Sequence, residues 1–441
     1  MKNLILLSLL LFSTACTQVS APENSIVFTN VNVLTMTDNT VLENRTVIIE
    51  GDRITQIIEG SVSTPESATV INGTGKYLMP GLGEMHGHVP PINVGVNDDY
   101  VESTLFLYTA AGITTVRGML GTPGQLALKD RVNNGELVGP NLYLAGPSFN
   151  GNSVSSPEQA EQKVRDQKNE GWDLLKVHPG LTLAEYDAMA STAHEVGITF
   201  GGHIPADVGL EHALDMRQET IDHVDGYVIY LTQFEGEERS QKMAEIIERT
   251  KEQNVWIVPT MALWETIIGA GDYDHMKAYD ELKYIPQNVK DNYFNFATNI
   301  VNNPNVNREE ALEHAELRTL ILSEMNKAGV KIMMGTDAPQ LFSVPGFSIH
   351  RELQSMVDAN MTPYEIIRSG TYMVGEYFAD KANFGTIEVG KRADLILVNS
   401  NPLDDVSNIK DHSGVMVQGK WQSRASIDQR LKEIEEQYSS N

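Results

Sequence analysis

Only one of the 441 residues is a cysteine, Cys16. No disulfide can staple this chain internally, and if that single thiol is committed elsewhere no thiolate remains for catalysis. Basic residues are also scarce: 33 Lys and Arg stand against 59 Asp and Glu, a formal net charge of -26. Nucleic acid is therefore not an expected partner, because phosphate recognition needs concentrated Lys and Arg. An acidic surface speaks to solubility and says little about fold. Past the N-terminal stretch no apolar run is long enough to span a bilayer. Tandem repeats and low-complexity tracts are lacking too. What is there has the composition of an ordinary globular protein, 41% hydrophobic and 21% charged, and is long enough to bury a large core.

The N-terminus carries a signal of its own. Lys2 supplies a positive start, and Leu4 to Phe12 form an apolar stretch of signal-peptide length. Ser13-Thr14-Ala15-Cys16, which ends it, resembles the lipobox of bacterial lipoproteins, implying cleavage before Cys16 and lipidation of its thiol. The other reading is a plain secretory signal in which the cysteine falls by accident. On the first reading residues 1–15 are a signal peptide and residues 16–25 a short polar tether. The expected location is then the cell envelope, exported and held to a membrane by the lipid.

From Ser25 to Val70 short alternating runs are broken by turn residues: Val27-Phe28, Val31 to Leu34, Thr46 to Ile49, the Gly51-Asp52 turn, then Ile54 to Ile58. The far end has the same texture, in Gly385 to Ile387, Ala393 to Val398 and Val415 to Val417. Two β-rich flanks predict one small sheet domain, a β-sandwich, assembled from residues 26–79 and 384–421. Residues 80–383 alternate strand and helix, which predicts a parallel sheet. Eight strand-like runs are countable: the lead-in to His88, Gly112 to Met119, Asn141 to Gly146, Trp172 to Val177, Gly197 to His203, Glu219 to Val224, Val255 to Thr260 and Val330 to Asp337. Helical stretches such as Pro157 to Asn169, Leu183 to Glu195 and Gln241 to Gln253 separate them. Eight such units fit an α/β fold of the (β/α)8 TIM-barrel type. The long connection 264–306 carries Tyr273, Tyr279, Tyr284, Tyr293, Phe294 and Phe296, which suit either a lid or an ordinary helical insertion. Residues 422–441 hold a charged terminal helix with no evident chemistry.

His86-Gly87-His88 puts two imidazoles on one side of an extended strand, since side chains at i and i+2 point alike. Such a pair can chelate a metal that favours neutral imidazole, zinc among them. Alone it is a weak signal. Its context is that Lys176, His203, His223 and Asp337 each fall at the end of a later run, where barrel active sites gather their side chains. Each also has a bland reading: a hydrogen-bonded core histidine, a helix-capping aspartate, a lysine reaching for solvent. Coincidence at all of them together is improbable.

With those residues in place, the stretch Tyr77 to His88 (YLMPGLGEMHGH) resembles the entry motif of the amidohydrolase superfamily. Gly112 to Arg117, Gly202 to Pro205, Ile221 to His223 and Gly335 to Ala338 look like its later landmarks, and Gly385 to Leu395 resembles its return into the sheet domain. The match is nearest the imidazolonepropionase-like and metal-dependent prolidase-like branch and covers nearly all of residues 26–421. Glu84 stands where Asp is common and Asp222 where Glu often precedes the histidine, so hydrogen bonding around the site is expected to differ. His178 stands where a small or aromatic residue is usual. It either touches substrate or simply sits in the loop.

The resemblance implies two divalent metal ions, zinc first. His86, His88 and Asp337 would hold one, His203 and His223 the other, with a carboxylated Lys176 as bridge. Asp337 would also be the catalytic base. If Lys176 is unmodified, a mononuclear site on His86, His88, one later histidine and Asp337 remains. The implied activity is hydrolysis of C–N bonds in small substrates: dipeptides, N-acyl amino acids or cyclic amides. Arg117, His178 and Tyr227, near strand ends, are candidates to hold a substrate carboxylate or carbonyl. The same chemistry would serve an esterase or lactonase, and a retired barrel would serve a ligand-binding lipoprotein; a homo-oligomer is left open.

Overall fold

The computed structural model describes residues 20–92 and 98–439. Cys16 and the apolar stretch before it lie outside the described residues. Among those described, no helix is long and apolar enough to cross a membrane.

Both chain ends enter one sheet. The front supplies β1 (Ile26–Leu34), β2 (Val41–Glu50), β3 (Arg53–Glu59), β4 (Thr69–Asn72) and β5 (Tyr77–Pro80). The central region contributes eight more strands: β6 (Leu82–Gly87), β7 (Ile113–Gly118), β8 (Asn141–Leu144), β9 (Leu174–Val177), β10 (Thr199–Gly202), β11 (Thr220–Asp222), β12 (Trp256–Val258) and β13 (Lys331–Ile332). The back adds β14 (Leu395–Val398), β15 (His412–Val417) and β16 (Lys420–Ser423). The end sheet runs β16-β15-β14-β5-β1-β2-β3, with β4 also on β1. The seam between the chain ends is the antiparallel pair β5/β14, Met79 opposite Ile396. The two expected runs Val27-Phe28 and Val31 to Leu34 are one strand, β1, interrupted by register shifts beside Asn30, whose φ is 54°. Phe28 and Trp421 lie on strands that are not neighbours, yet their rings meet edge to face at 5.4 Å, so the sheet curls over a shared core.

Each of the eight runs read from the sequence contains one strand of the central region, and all are parallel to their neighbours. β6-β7-β8 form one set and β9 to β13 another. A parallel bridge between Ala145 and Leu174 joins β8 to β9. At the other side, Met85 N donates to Met334 O at 2.9 Å and Asp337 N to His86 O at 2.6 Å, linking β6 to the segment beyond β13. Local chemistry sets the helices between them. The helix Pro157–Glu170 starts on Ser156, whose side chain accepts from Gln159 N, and stops on the left-handed Gly171. Leu183–Val196 opens with a capping box between Thr182 and Glu185 and closes on Gly197.

The long connection is a helical layer packed against the C-terminal helix. Tyr273, Leu282, Ile285, Tyr293 and Ala297 form a core with Ile427, Leu431 and Ile434 of the terminal helix Arg424–Ser439. That helix buries positions 427, 431, 434 and 438, one face at helical spacing, and its charges face outward.

Candidate metal centre

Strand ends deliver the expected residues to one place. His86 lies in β6 and His88 just past it, Lys176 in β9, His203 after β10, His223 after β11, and Asp337 beyond β13. Several of these turns leave the sheet sharply: His223, Val224, Thr260 and Asp337 have φ of 74, 62, 46 and 60°. Left-handed backbone at non-glycine residues costs on the order of 1–3 kcal/mol each and concentrates where side chains must be aimed. Two glycines make room. Gly335 passes so close to β6 that a Cβ there would stand 2.8 Å from His86 N. At Gly202, with φ of 125°, a Cβ would collide with Val177 O and stand 2.9 Å from Lys176 Cδ.

Five imidazoles form a row. Ring centroids are 5.6 Å apart from His88 to His86, 4.3 Å from His86 to His223, 4.3 Å from His223 to His203, and 5.2 Å from His203 to His178. Asp337 closes on one end of the row: its Oδ1 is 2.6 Å from His88 Nε2 and 3.7 Å from His86 Nε2, and its Oδ2 is 3.8 Å from His223 Nδ1. Lys176 Nζ is 3.1 Å from His86 Nε2. Ligand atoms of His86, His223 and Asp337 all fall within 4.8 Å of one another, a set able to hold a metal ion. His223 thus stands between the two groups of ligands that the resemblance implies, within reach of either.

The surroundings suit metal binding. His86 is fully buried and burial, reinforced by Lys176, holds its pKa well below the ordinary value. His223 is lowered likewise, by burial first and then by His203. Both are neutral imidazoles, the form that binds metal. His223 Nε2 is buried without a hydrogen-bond partner, while its Nδ1 is 2.7 Å from Thr260 Oγ1. With Nδ1 engaged by Thr260, the neutral, unpartnered Nε2 keeps a lone pair that a metal ion could take, so the residues fit such a group. Lys176 is wholly enclosed and burial pushes its pKa down to about 8, against the pull of Asp222 and Asp337. Glu84 moves the other way, pushed up to about 8 by burial although Thr336 donates to it at 2.7 Å from N and 2.6 Å from Oγ1.

Two candidates for substrate contact do not face the site. Arg117 lies beneath it, entirely buried: Nε donates to Met85 O at 2.6 Å and Nη2 to both Asp222 oxygens at 3.1 Å. Tyr227 is also enclosed, its hydroxyl 2.7 Å from Thr250 Oγ1. A side chain near a strand end in sequence can point back into the packing, and these two do. His178 does reach the row of imidazoles, and burial takes its pKa down to about 2. Several neighbours escaped the sequence reading. Asp225 Oδ2 holds His203 Nδ1 at 3.0 Å, Thr260 holds His223, and Trp264 lies edge-on to His223 and His203 with centroids 5.6 and 6.5 Å away. Only Asp225, two residues after His223, carries a sequence signal; Thr260 and Trp264 come from a different strand end.

A parallel α/β core with a histidine, lysine and aspartate cluster at its strand ends defines a metal-dependent hydrolase architecture. The chain belongs to the amidohydrolase family, whose profile matches residues 77–422. A 5-methylthioadenosine/S-adenosylhomocysteine deaminase of Caldanaerobacter subterraneus is 24% identical over 405 residues, covering 86% of this chain and 85% of that protein. Among solved structures, a Xaa-Pro dipeptidase with bound methionine aligns at a TM-score of 0.69 and 20% identity, over 90% of this chain and 100% of the other. A bottromycin amidohydrolase aligns at 0.74 and 19% identity, over 94% of this chain and 91% of the other. These likenesses concern the fold.

Proposed function

We propose that this protein hydrolyses amide or peptide C–N bonds in small substrates such as dipeptides, N-acyl amino acids or cyclic amides, with divalent metal held at the strand ends. The observation that carries the reading is the convergence of His86, His223 and Asp337 on one point with the buried His223 Nε2 left unpartnered. The names of the similar proteins, a dipeptidase, an amidohydrolase and a deaminase, agree with cleavage at carbon–nitrogen bonds.

In this reading His86, His88 and Asp337 would hold one ion and His203 and His223 a second, both zinc, with a carboxylated Lys176 as a further anionic ligand. When bound, the metal lowers the pKa of water toward neutrality and polarises the scissile carbonyl. The chain does the rest. Enclosure of Lys176 favours its neutral amine, which adds CO2 and loses a proton to become an anionic carbamate. Asp222 and Asp225 orient His86 and His203 through their Nδ1 atoms. A carboxylate oxygen of Asp337 takes a proton from the attacking water and passes it to the leaving nitrogen as the C–N bond breaks.

We read the central strands as a closed (β/α)8 barrel over residues 80–383, beside a β-sandwich of residues 26–79 and 384–421 and a C-terminal helix in 422–441. The hydrogen bonds from Met85 to Met334 and from Asp337 to His86, and the Phe28–Trp421 contact, support this. A crystal structure with β6 and β13 apart would refute it. Lipidation at Cys16 would tether the enzyme in the cell envelope, suited to scavenging peptides or modified amino acids.

Elemental analysis of the purified lipid-free protein beside Lys176→Ala, with a panel of dipeptides, N-acyl amino acids, cyclic amides, adenine nucleosides and esters, tests the reading. About two metals per chain, falling in the variant together with amide hydrolysis, is the expected result. One metal unaffected by the substitution points to the mononuclear site, and a well-folded protein without metal or turnover overturns the proposal.

A further inference from the structure

Trp264 sits in the helix Met261–Ile267, directly after the turn that presents Thr260 to His223. Its ring is edge-on to both His223 and His203. Its Nε1 is shut away from solvent and makes no hydrogen bond. A buried donor in that state costs about 1–3 kcal/mol, which a ligand oxygen would recover. Indole nitrogen can only donate, so the missing partner must be an acceptor.

Behind the ring stands Arg318, from the helix Arg308–Ala328. Its guanidinium lies 4.6 Å from the ring centroid of Trp264, and Nη1 donates to the backbone oxygen of His223 at 3.0 Å. Arg318 is 4% exposed, its Nε has no partner, and among the described residues it makes no ion pair. The nearby carboxylate of Asp225 is already engaged by His203 Nδ1 and Gly226 N. A buried arginine with no carboxylate within ion-pair distance, helped only by the charge of Asp225 farther off, is costly. Stacked on the indole face, its charge draws electron density from the ring and strengthens the N–H as a donor, most of all toward an anion.

We propose that Trp264 is a specificity-determining residue whose indole N–H receives a carboxylate of the substrate, with Arg318 as the positioning residue that fixes the ring and supplies positive potential. The proposal rests on the hydrolase reading and narrows its substrate to anionic members: N-acyl amino acids and dipeptides with a free carboxylate, rather than neutral cyclic amides. Arg318 also pins the left-handed turn at His223, so ring and imidazole are held by one guanidinium.

The test compares N-acetyl-L-amino acids with the matching N-acetyl amino-acid amides. Binding is read by competition calorimetry on the metal-loaded protein, and hydrolysis is read separately. Wild type should bind at least one acid about tenfold or more tightly than its amide, the scale of a hydrogen bond to a charged group. Trp264→Phe keeps an aromatic ring but removes the N–H, and should erase that preference, so that acid and amide bind the variant equally. Arg318→Met should reduce it too, and Arg318→Lys should restore only part, since the planar stack is lost. Metal content measured on every variant separates a lost carboxylate contact from a displaced His223. Equal binding of acid and amide by wild type, a preference that survives Trp264→Phe, or no binding across the panel overturns the proposal. Binding with the expected preference but no hydrolysis would sink the hydrolase reading and spare this one.

Discussion

His86 Nδ1 and Asp222 Oδ2 are 2.7 Å apart, and both side chains are closed to solvent. That contact makes Nδ1 the protonated nitrogen and leaves Nε2, 3.1 Å from Lys176 Nζ, as the atom that faces the site. Arg117 completes the chain by holding both oxygens of Asp222.

Asp222→Asn should therefore weaken metal binding by roughly 10–100-fold, measured on the folded fraction because the buried Arg117 also loses its carboxylate. Competitive chelator titration measures it; an unchanged affinity would show that His86 needs no orienting partner. Arg117→Met should act on stability instead, because it strands a buried carboxylate, at a cost of about 3–5 kcal/mol in urea unfolding.

Gly202→Ala probes the space beside Lys176. The added methyl collides with Val177 O and presses on Lys176 Cδ in a backbone conformation that alanine resists. A loss of roughly 1–3 kcal/mol is expected, with reduced metal content. Ala at the open left-handed Gly171, where nothing lies within 4 Å, is the control for backbone strain alone. Metal content equal in the two variants would reject the steric account.

Acid should loosen the join between the end sheet and the core. His412 in β15 donates from Nε2 to Ala110 O at 2.9 Å, and burial, with Arg424 nearby, takes its pKa down to about 4. Its folded value is depressed below the unfolded one, so its contribution is complete above about pH 6.5 and declines as pH falls, to nothing by about pH 4. The slope from this group is at most about 1.4 kcal/mol per pH unit. Urea midpoints of wild type and His412→Gln across this range should converge toward the acid end. Parallel curves would assign the acid sensitivity to other buried histidines.

Cys16→Ser tests the envelope assignment. In a bacterial host the wild-type full chain should partition into detergent and gain the mass of acyl chains, and the variant should stay aqueous. Identical partitioning of the two would remove the lipid anchor.

The sequence by itself determined the order of elements and the identity of the clustered residues. Strand runs, caps such as Ser156 and Thr182, and the spacing of His86 and His88 are local properties, set by backbone geometry within a few residues, and each of the eight central runs holds a strand. What only the tertiary structure decided is which side chains face the site and what stands behind them. Arg117 and Tyr227 sit near strand ends as expected, yet they turn into the packing, because hydrogen bonds to Asp222 and Thr250 are available there. The same holds for Thr260, Trp264 and Arg318, which reach His223 from distances of 37, 41 and 95 positions along the chain. No period or motif encodes such meetings. They follow from parallel strands bringing their ends to one side of the molecule, where burial and unmatched charge then set the chemistry.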